Sequence, residues 1–259
     1  MPDKYYRFSL THHGFSIELR VNDVIIDTDP TGTFRNRSFV NNQFIVDGKN
    51  TVKLTLGLAG NPPQIPQDLT LTCMVHELTA DQLDGKNLPA PLASLEFPGS
   101  QPPSFPVTLS AGFDVKSPFG RWVWEDAERI QEITADEVFA CASVLKKVHS
   151  ALSQKDLPGL LPMLQLKTAE MARAFYVPGQ ERAQDQEQFF REVFNDSQFA
   201  MEPLKTDDLE LVAMGENRVF LLRHQGGAPA LESKELSEGY CFTLPVYLSK
   251  INGEWRIVR

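Results

Sequence analysis

Between Tyr5 and about Val115, apolar and polar residues alternate in short runs separated by turn residues. A period of two puts one face of each strand in a core and the other outside it. FSIELRV (Phe15 to Val21) alternates cleanly, and Asn22-Asp23 offers a turn before the apolar run that follows. QFIV (Gln43 to Val46) runs into Asp47-Gly48, a hairpin signal, and TVKLTLGL begins at Thr51. LTLTCMVHEL (Leu69 to Leu78) continues in the same style. No helix-length pattern interrupts these runs, so residues 1–120 are expected to form an antiparallel β-sandwich domain. Between Leu83 and Pro106 the chain is rich in proline (Pro89, Pro91, Pro98, Pro102, Pro103, Pro106), which predicts a long surface loop or crossover.

After Trp122 and Trp124 the periodicity changes. Thr134 can cap a helix whose first turn carries Asp136 and Glu137, and Val138, Cys141, Ala142, Leu145, Val148 and Leu152 then recur at helical spacing. A second helix starts near Leu157, with Leu160, Leu161 and Leu164 on one side, and Pro162 is expected to break or kink it. A third spans about Glu181 to Phe194 and is expected to bury Phe189, Phe190, Val193 and Phe194. Strand patterns follow: DLELVAMG, RVFLLRHQ, YCFTLPVYLSKI and EWRIV, the last two turning at Asn252-Gly253. Helices followed by a curved antiparallel sheet predict an α+β domain over residues 121–259.

Two stretches, ALSQKDLPGLLPML and the closing PVYLSKINGEWRIVR, resemble the NTF2-like (SnoaL-like, cystatin-type) superfamily. The resemblance covers roughly Glu132 to Arg259 and implies an α+β cone whose mouth can hold a small ligand. It further implies that His149, Tyr176, Tyr240 and Tyr247 line that mouth. Trp255 and Ile257 are expected on one face of the last strand, with Glu254, Arg256 and Val258 on the other.

The run VIIDTDPTGT (Val24 to Thr33) resembles the opening of two carboxylate-based enzyme classes, the calcium-dependent nucleoside hydrolases and the haloacid-dehalogenase-type phosphatases. A divalent cation needs several oxygen ligands, but Arg35 and Arg37 follow where further acids would be needed. Both classes also rest on a parallel sheet, whereas the flanks here read as hairpins. The expectation is a strand ending in an Asp-Pro turn, with Asp27 and Asp29 bonding backbone N–H groups and no metal. His12-His13 precedes Gly14 and is expected to be exposed in a turn. Cys73, Cys141 and Cys241 are too scattered for a disulfide framework or thiolate site, and buried, inert thiols are expected. No nucleophile elbow or phosphate-binding glycine loop is present, so no catalytic residue and no cofactor is assigned.

Composition then narrows the partner. The net charge of −9 disfavours nucleic acid as a direct ligand. No segment approaches a membrane span and no signal peptide is evident, which predicts a cytoplasmic protein. Acidic residues concentrate at Asp185 and Glu187 on the third helix, at Asp207, Asp208 and Glu210 near the first strand after it, and at Glu232, Glu235 and Glu238 in the loop before Tyr240. If these sets converge, they would steer a basic protein partner. Taken whole, the chain resembles bacterial immunity proteins paired with type VI secretion effectors. That resemblance implies a non-catalytic protein that occludes a cognate basic toxin, such as a nuclease, in the cytoplasm. The alternative is a small-ligand-binding protein or enzyme using the NTF2-like cone.

Overall fold

The computed structural model describes residues 3–60, 69–97 and 104–259, and it is mixed α+β, with a β-rich first part followed by helices and further strands. The chain divides into two compact units, Met1–Arg121 and Trp122–Arg259. Among the described residues the first unit has eight strands: β1 (Lys4–His13), β2 (Phe15–Val21), β3 (Val24–Asp29), β4 (Arg35–Val40), β5 (Gly48–Leu58), β6 (Thr70–Thr79), β7 (Ala93–Glu96) and β8 (Val107–Val115). They make two four-stranded sheets, ordered β4-β1-β6-β7 and β3-β2-β5-β8, with every neighbouring pair antiparallel. The alternation read from sequence is the alternation of burial: Phe15, Ile17, Leu19 and Val21 of β2 are buried, and Ser16, Glu18 and Arg20 between them are not. Tyr6, Phe8 and Leu10 of β1 and Val52, Leu54 and Leu56 of β5 are fully or almost fully buried.

Gln43–Val46 is not a strand, and Asp47-Gly48 is not a hairpin turn. Asn42–Phe44 forms a 3-10 turn and β5 starts at Gly48 itself. Side-chain amides have taken over the backbone groups that a strand would have paired. Asn50 Oδ1 accepts from Val46 N (2.9 Å) and Asn22 Nδ2 (2.7 Å), while its Nδ2 donates to Val46 O (2.9 Å) and Gly48 O (3.0 Å). Asn22 also donates to Phe44 O at 2.7 Å. Within the proline-rich stretch the chain adds β7 along β6, so that stretch is partly sheet; Pro98, Pro102 and Pro103 lie outside the described residues.

The second unit carries α1 (Ala135–Ser153), α2 (Leu157–Ala174) and α3 (Gly179–Asn195), then β9 (Leu209–Met214), β10 (Val219–His224), β11 (Glu232–Glu235), β12 (Cys241–Thr243), β13 (Tyr247–Ile251) and β14 (Glu254–Ile257). One sheet has the order β14-β13-β10-β9, and β11 pairs with β12. Thr134 caps α1 by accepting from Glu137 N, and Asp156 caps α2 by accepting from Gly159 N. The buried stripe Cys141, Leu145, Val148 and Leu152 of α1 joins Leu157, Leu160 and Leu164 of α2, Phe190 and Val193 of α3, and Leu222, Leu248 and Ile257 of the sheet in one core.

Several expectations change here. Helix α2 runs through Pro162 without a break, giving up one backbone bond near its start, where few bonds are at stake. Phe189 is 48% exposed, because the buried face of α3 passes through Phe190, Val193 and Phe194. Pro245 divides the expected long strand into β12 and β13, and a further short strand, β11, precedes Tyr240. Cys241 is exposed on the short β12, so it is not a core thiol. Val258, expected on the strand face opposite Trp255 and Ile257, lies just beyond β14 and is buried.

At the base of the second unit a buried acid gathers its neighbours. Glu170 accepts from Val123 N (3.0 Å), Arg173 (2.8 Å) and Arg259 (2.6 Å). The two guanidiniums also lie over the buried Trp122 ring, at 4.4 and 4.9 Å from its centroid.

Asn50 gives the first prediction. Its amide is buried and fully satisfied, so Asn50→Ala strands buried backbone groups and should lower stability by about 2–3 kcal/mol in urea denaturation. A loss under about 0.5 kcal/mol would show that water replaces the amide.

Candidate functional site

The acidic residues singled out above fall into two neighbouring groups on the second unit. The first surrounds a cleft of about 380 Å³ whose lining includes Glu202, Lys205, Asp208, His224, Gln225 and Glu232. The backbone brings these distant residues together: Glu202 N donates to Glu232 O (2.9 Å) and Gln225 N donates to Asp208 O (2.9 Å). His224 Nδ1 is 2.7 Å from Asp208 Oδ1. The second group is built by α3 and the β11–β12 turn. Ser237 donates to Asp196 Oδ2 through both its hydroxyl and its N–H, and Phe189 packs against Phe242 at 6.2 Å between ring centroids. Asp185 lies one helical turn from Phe189, β11 ends at Glu235, and the turn after it carries Glu238 and the 51% exposed Tyr240. β11 belongs to both groups, with Glu232 at one end and Glu235 at the other.

Not every acid in the set is free to meet a partner. Glu187 pairs with Arg191 at 2.5 Å, and Glu210 pairs with Arg223 at 2.6 Å across β9 and β10. Asp185, Asp207, Glu235 and Glu238 are exposed, and no side-chain ion pair engages them among the described residues.

The four residues expected around a cone mouth are placed separately. His149 has its Nε2 2.8 Å from Glu202 O, which fixes the proton on Nε2 because a carbonyl only accepts. Its ring therefore holds the rim of the acidic cleft. Tyr176 follows α2 with φ at +58°, Tyr240 is exposed on its turn, and Tyr247 lies half-buried in β13. None of the four lines the acidic cleft or a second cavity of about 530 Å³ between α1, α2 and β14.

In the first unit, VIIDTDPTGT forms β3 and the turn leaving it, and the two arginines that follow are the partners of its acids. Arg35 Nε lies 2.6 Å from Asp29 Oδ2, and an Arg37 terminal nitrogen lies 2.6 Å from Asp27 Oδ2. Asp29 also accepts from Thr31 N (2.8 Å) and Thr31 Oγ1 (2.7 Å), the Asp-Pro turn expected from sequence. Among the described residues no group of three His, Cys, Asp or Glu side chains is placed to hold a metal ion. His12 corrects the sequence expectation: it lies within β1, fully buried, with Nε2 3.5 Å from Asp29 Oδ2 and neither ring nitrogen hydrogen-bonded.

Burial sets the ionisation of this cluster. It pushes the His12 imidazole below 6.5, outweighing the pull of Asp29, with Arg37, Arg35 and His13 acting in the same downward sense. It pushes Asp27 above 3.8 against the opposing charge of Arg37. Asp29 feels the same burial, but the Thr31 hydrogen bonds, Arg35 and His12 together hold it below 3.8.

Sequence reading passed over Lys167. Burial, with Arg259 and Arg182 nearby, lowers its ammonium to about 8. Its position three residues after the buried Leu164 was the available signal, since that spacing keeps it near the core-facing stripe of α2. Among the described residues no helix is long and apolar enough to cross a membrane.

The ionisation pattern predicts a pH response. Folding favours neutral His12, so its contribution is complete above pH 6.5 and is lost as pH falls below that value. Asp29 contributes above 3.8 and loses that contribution as pH falls through its lower folded value, whereas Asp27 loses its contribution as pH rises from 3.8 through its higher one. The urea midpoint of the wild-type protein should drop between pH 7 and 5.5, and His12→Gln should flatten that slope. Identical slopes would remove His12 from the account. No protein-family model, curated protein or solved structure matches this chain.

Proposed function

We propose that this chain is an immunity protein that binds a basic antibacterial toxin, of the kind delivered by type VI secretion, and occludes it in the cytoplasm without catalysis. The observation that supports this reading is the convergence of separated acids onto one face: Glu202, Asp208 and Glu232 around a cleft, continued through β11 to Glu235 and Glu238. An array of carboxylates, with Glu235 and Glu238 exposed and outside any ion pair among the described residues, raises the encounter rate with a cationic partner, while exposed rings beside it provide desolvated anchors. Phe189 and Tyr240 are those rings. The reading extends to the architecture. The first unit is a β-sandwich, with Phe15 of β2 meeting Phe97 beyond β7 at 4.8 Å between centroids, and the second is an NTF2-like cone closed by the β13–β14 hairpin.

The alternative of a ligand pocket using His149 and the tyrosines has less support, because the His149 ring bonds a backbone carbonyl and Tyr240 lies on an outer turn.

The test is co-expression with the product of the neighbouring gene, followed by binding kinetics. Glu235→Lys with Glu238→Lys should slow association about tenfold or more at low salt and leave dissociation little changed. Phe189→Ala and Tyr240→Ala should each speed dissociation by roughly 1–3 kcal/mol equivalent. Cells that die despite the protein, or binding indifferent to all four changes, would overturn the proposal.

A further inference from the structure

The cations Lys167, Arg173, Arg182 and Arg259 gather around the C-terminal half of α2, and the acid among them is already engaged. Lys167 stands one helical turn before Glu170 on that helix. Glu170 Oε1 accepts from Val123 N (3.0 Å) and Arg173 (2.8 Å), and its Oε2 accepts from Arg259 at 2.6 Å. Thr168, next to Lys167, hydrogen-bonds Gln186 through its hydroxyl, which brings α3 alongside, and Arg182 lies one turn from Gln186. Lys167 therefore has a guanidinium on either side, Arg259 beyond β14 and Arg182 on α3. Both Lys167 and Arg182 are half-buried, and neither has an ion pair among the described residues.

A lysine so placed carries a charge that its surroundings oppose. Burial, reinforced by Arg259 and Arg182, lowers its ammonium to about 8, so about a tenth of it is the neutral, nucleophilic amine at pH 7. The same surroundings select among the electrophiles that such an amine can attack. An aldehyde or ketone gives an iminium, which restores positive charge beside two guanidiniums. An acyl donor gives a neutral amide, which leaves Arg182 unpaired. Carbon dioxide gives a carbamate, a planar anion that turns both repulsions into attractions.

We propose that Lys167 is a carbon dioxide-binding site, carbamylated on Nζ, with the carbamate paired to Arg182 and facing Arg259. The Nζ lone pair attacks the carbon of carbon dioxide. The N–C bond forms as one C–O π bond breaks onto oxygen, and Nζ releases one proton to solvent. The step is redox-neutral and needs no further reactant. One new anion then ties α2 to α3 and to Arg259, so the stability of the second unit follows dissolved carbon dioxide. This site does not rest on the toxin-binding reading.

The test equilibrates the full chain with isotope-labelled carbon dioxide and bicarbonate at about pH 8, traps carbamates by O-ethylation with triethyloxonium, and locates them by peptide mass spectrometry. Occupancy at Lys167 should exceed that at the exposed Lys146, an internal reference, about tenfold or more. Arg182→Gln, at a half-buried position on α3, should lower it about twofold to fivefold, because the carbamate loses a partner and the amine holds its proton more tightly. The urea midpoint of the wild-type protein should rise with dissolved carbon dioxide at fixed pH, and Lys167→Arg should abolish that rise. No trapped carbamate at Lys167, labelling spread evenly over exposed lysines, or occupancy indifferent to Arg182→Gln would each overturn the proposal. So would a midpoint response that survives Lys167→Arg or is missing from the wild type.

Discussion

Glu170 is an acid placed where water cannot reach it, and much of the second unit is arranged around that fact. A carboxylate removed from water is tolerated only if charge and hydrogen bonds replace its hydration. Here Arg259 and Arg173 supply the charge and Val123 N adds a third donor, from three separate parts of the chain. The guanidiniums in turn rest on Trp122, so the arrangement also fixes how the chain enters the unit. Core packing could be satisfied by many apolar combinations. The geometry around one buried charge is far less forgiving, and it ties residues 122 and 259 to the C-terminal end of α2.

The same constraint governs the first unit on a smaller scale. Asp27 and Asp29 lie two residues apart on β3, and Arg37 and Arg35 lie two residues apart on β4, which matches the spacing of same-side positions along a strand. The reversal of order is what an antiparallel return through the Pro30–Phe34 turn produces. What resembled the start of a metal site is therefore an ion-paired corner. His12 is held beside it in the form that burial favours, without a hydrogen-bond partner.

What could be read from sequence was whatever depends on near neighbours. Strand alternation in β1, β2, β5 and β6 and the cap at Thr134 are local, and all are present in the structure. Residues whose state is set by distant partners were not legible. Gln43–Val46 looked like a strand because nothing local reveals that Asn50 and Asn22 would bind its backbone. His12 looked like a turn residue because Gly14 is close in sequence, while β1 continues almost to that glycine. The acids are visible in sequence as a set, but which of them are ion-paired, as Glu187 and Glu210 are, depends on Arg191 and Arg223. Phe189 differs by only one helical position from Phe190, and that is enough to move a ring from core to surface.

The ion-paired corner has a consequence for colloidal behaviour. β3 and β4 each end their sheet, so both present bare backbone of the kind that recruits strands from other molecules. Arg35, Arg37, Asp27 and Asp29 load these two borders with charge, and an incoming strand would have to disrupt or desolvate those pairs before it could add on. The residues that fasten the corner thereby also act as gatekeepers against aggregation, in a unit that is otherwise rich in apolar strands.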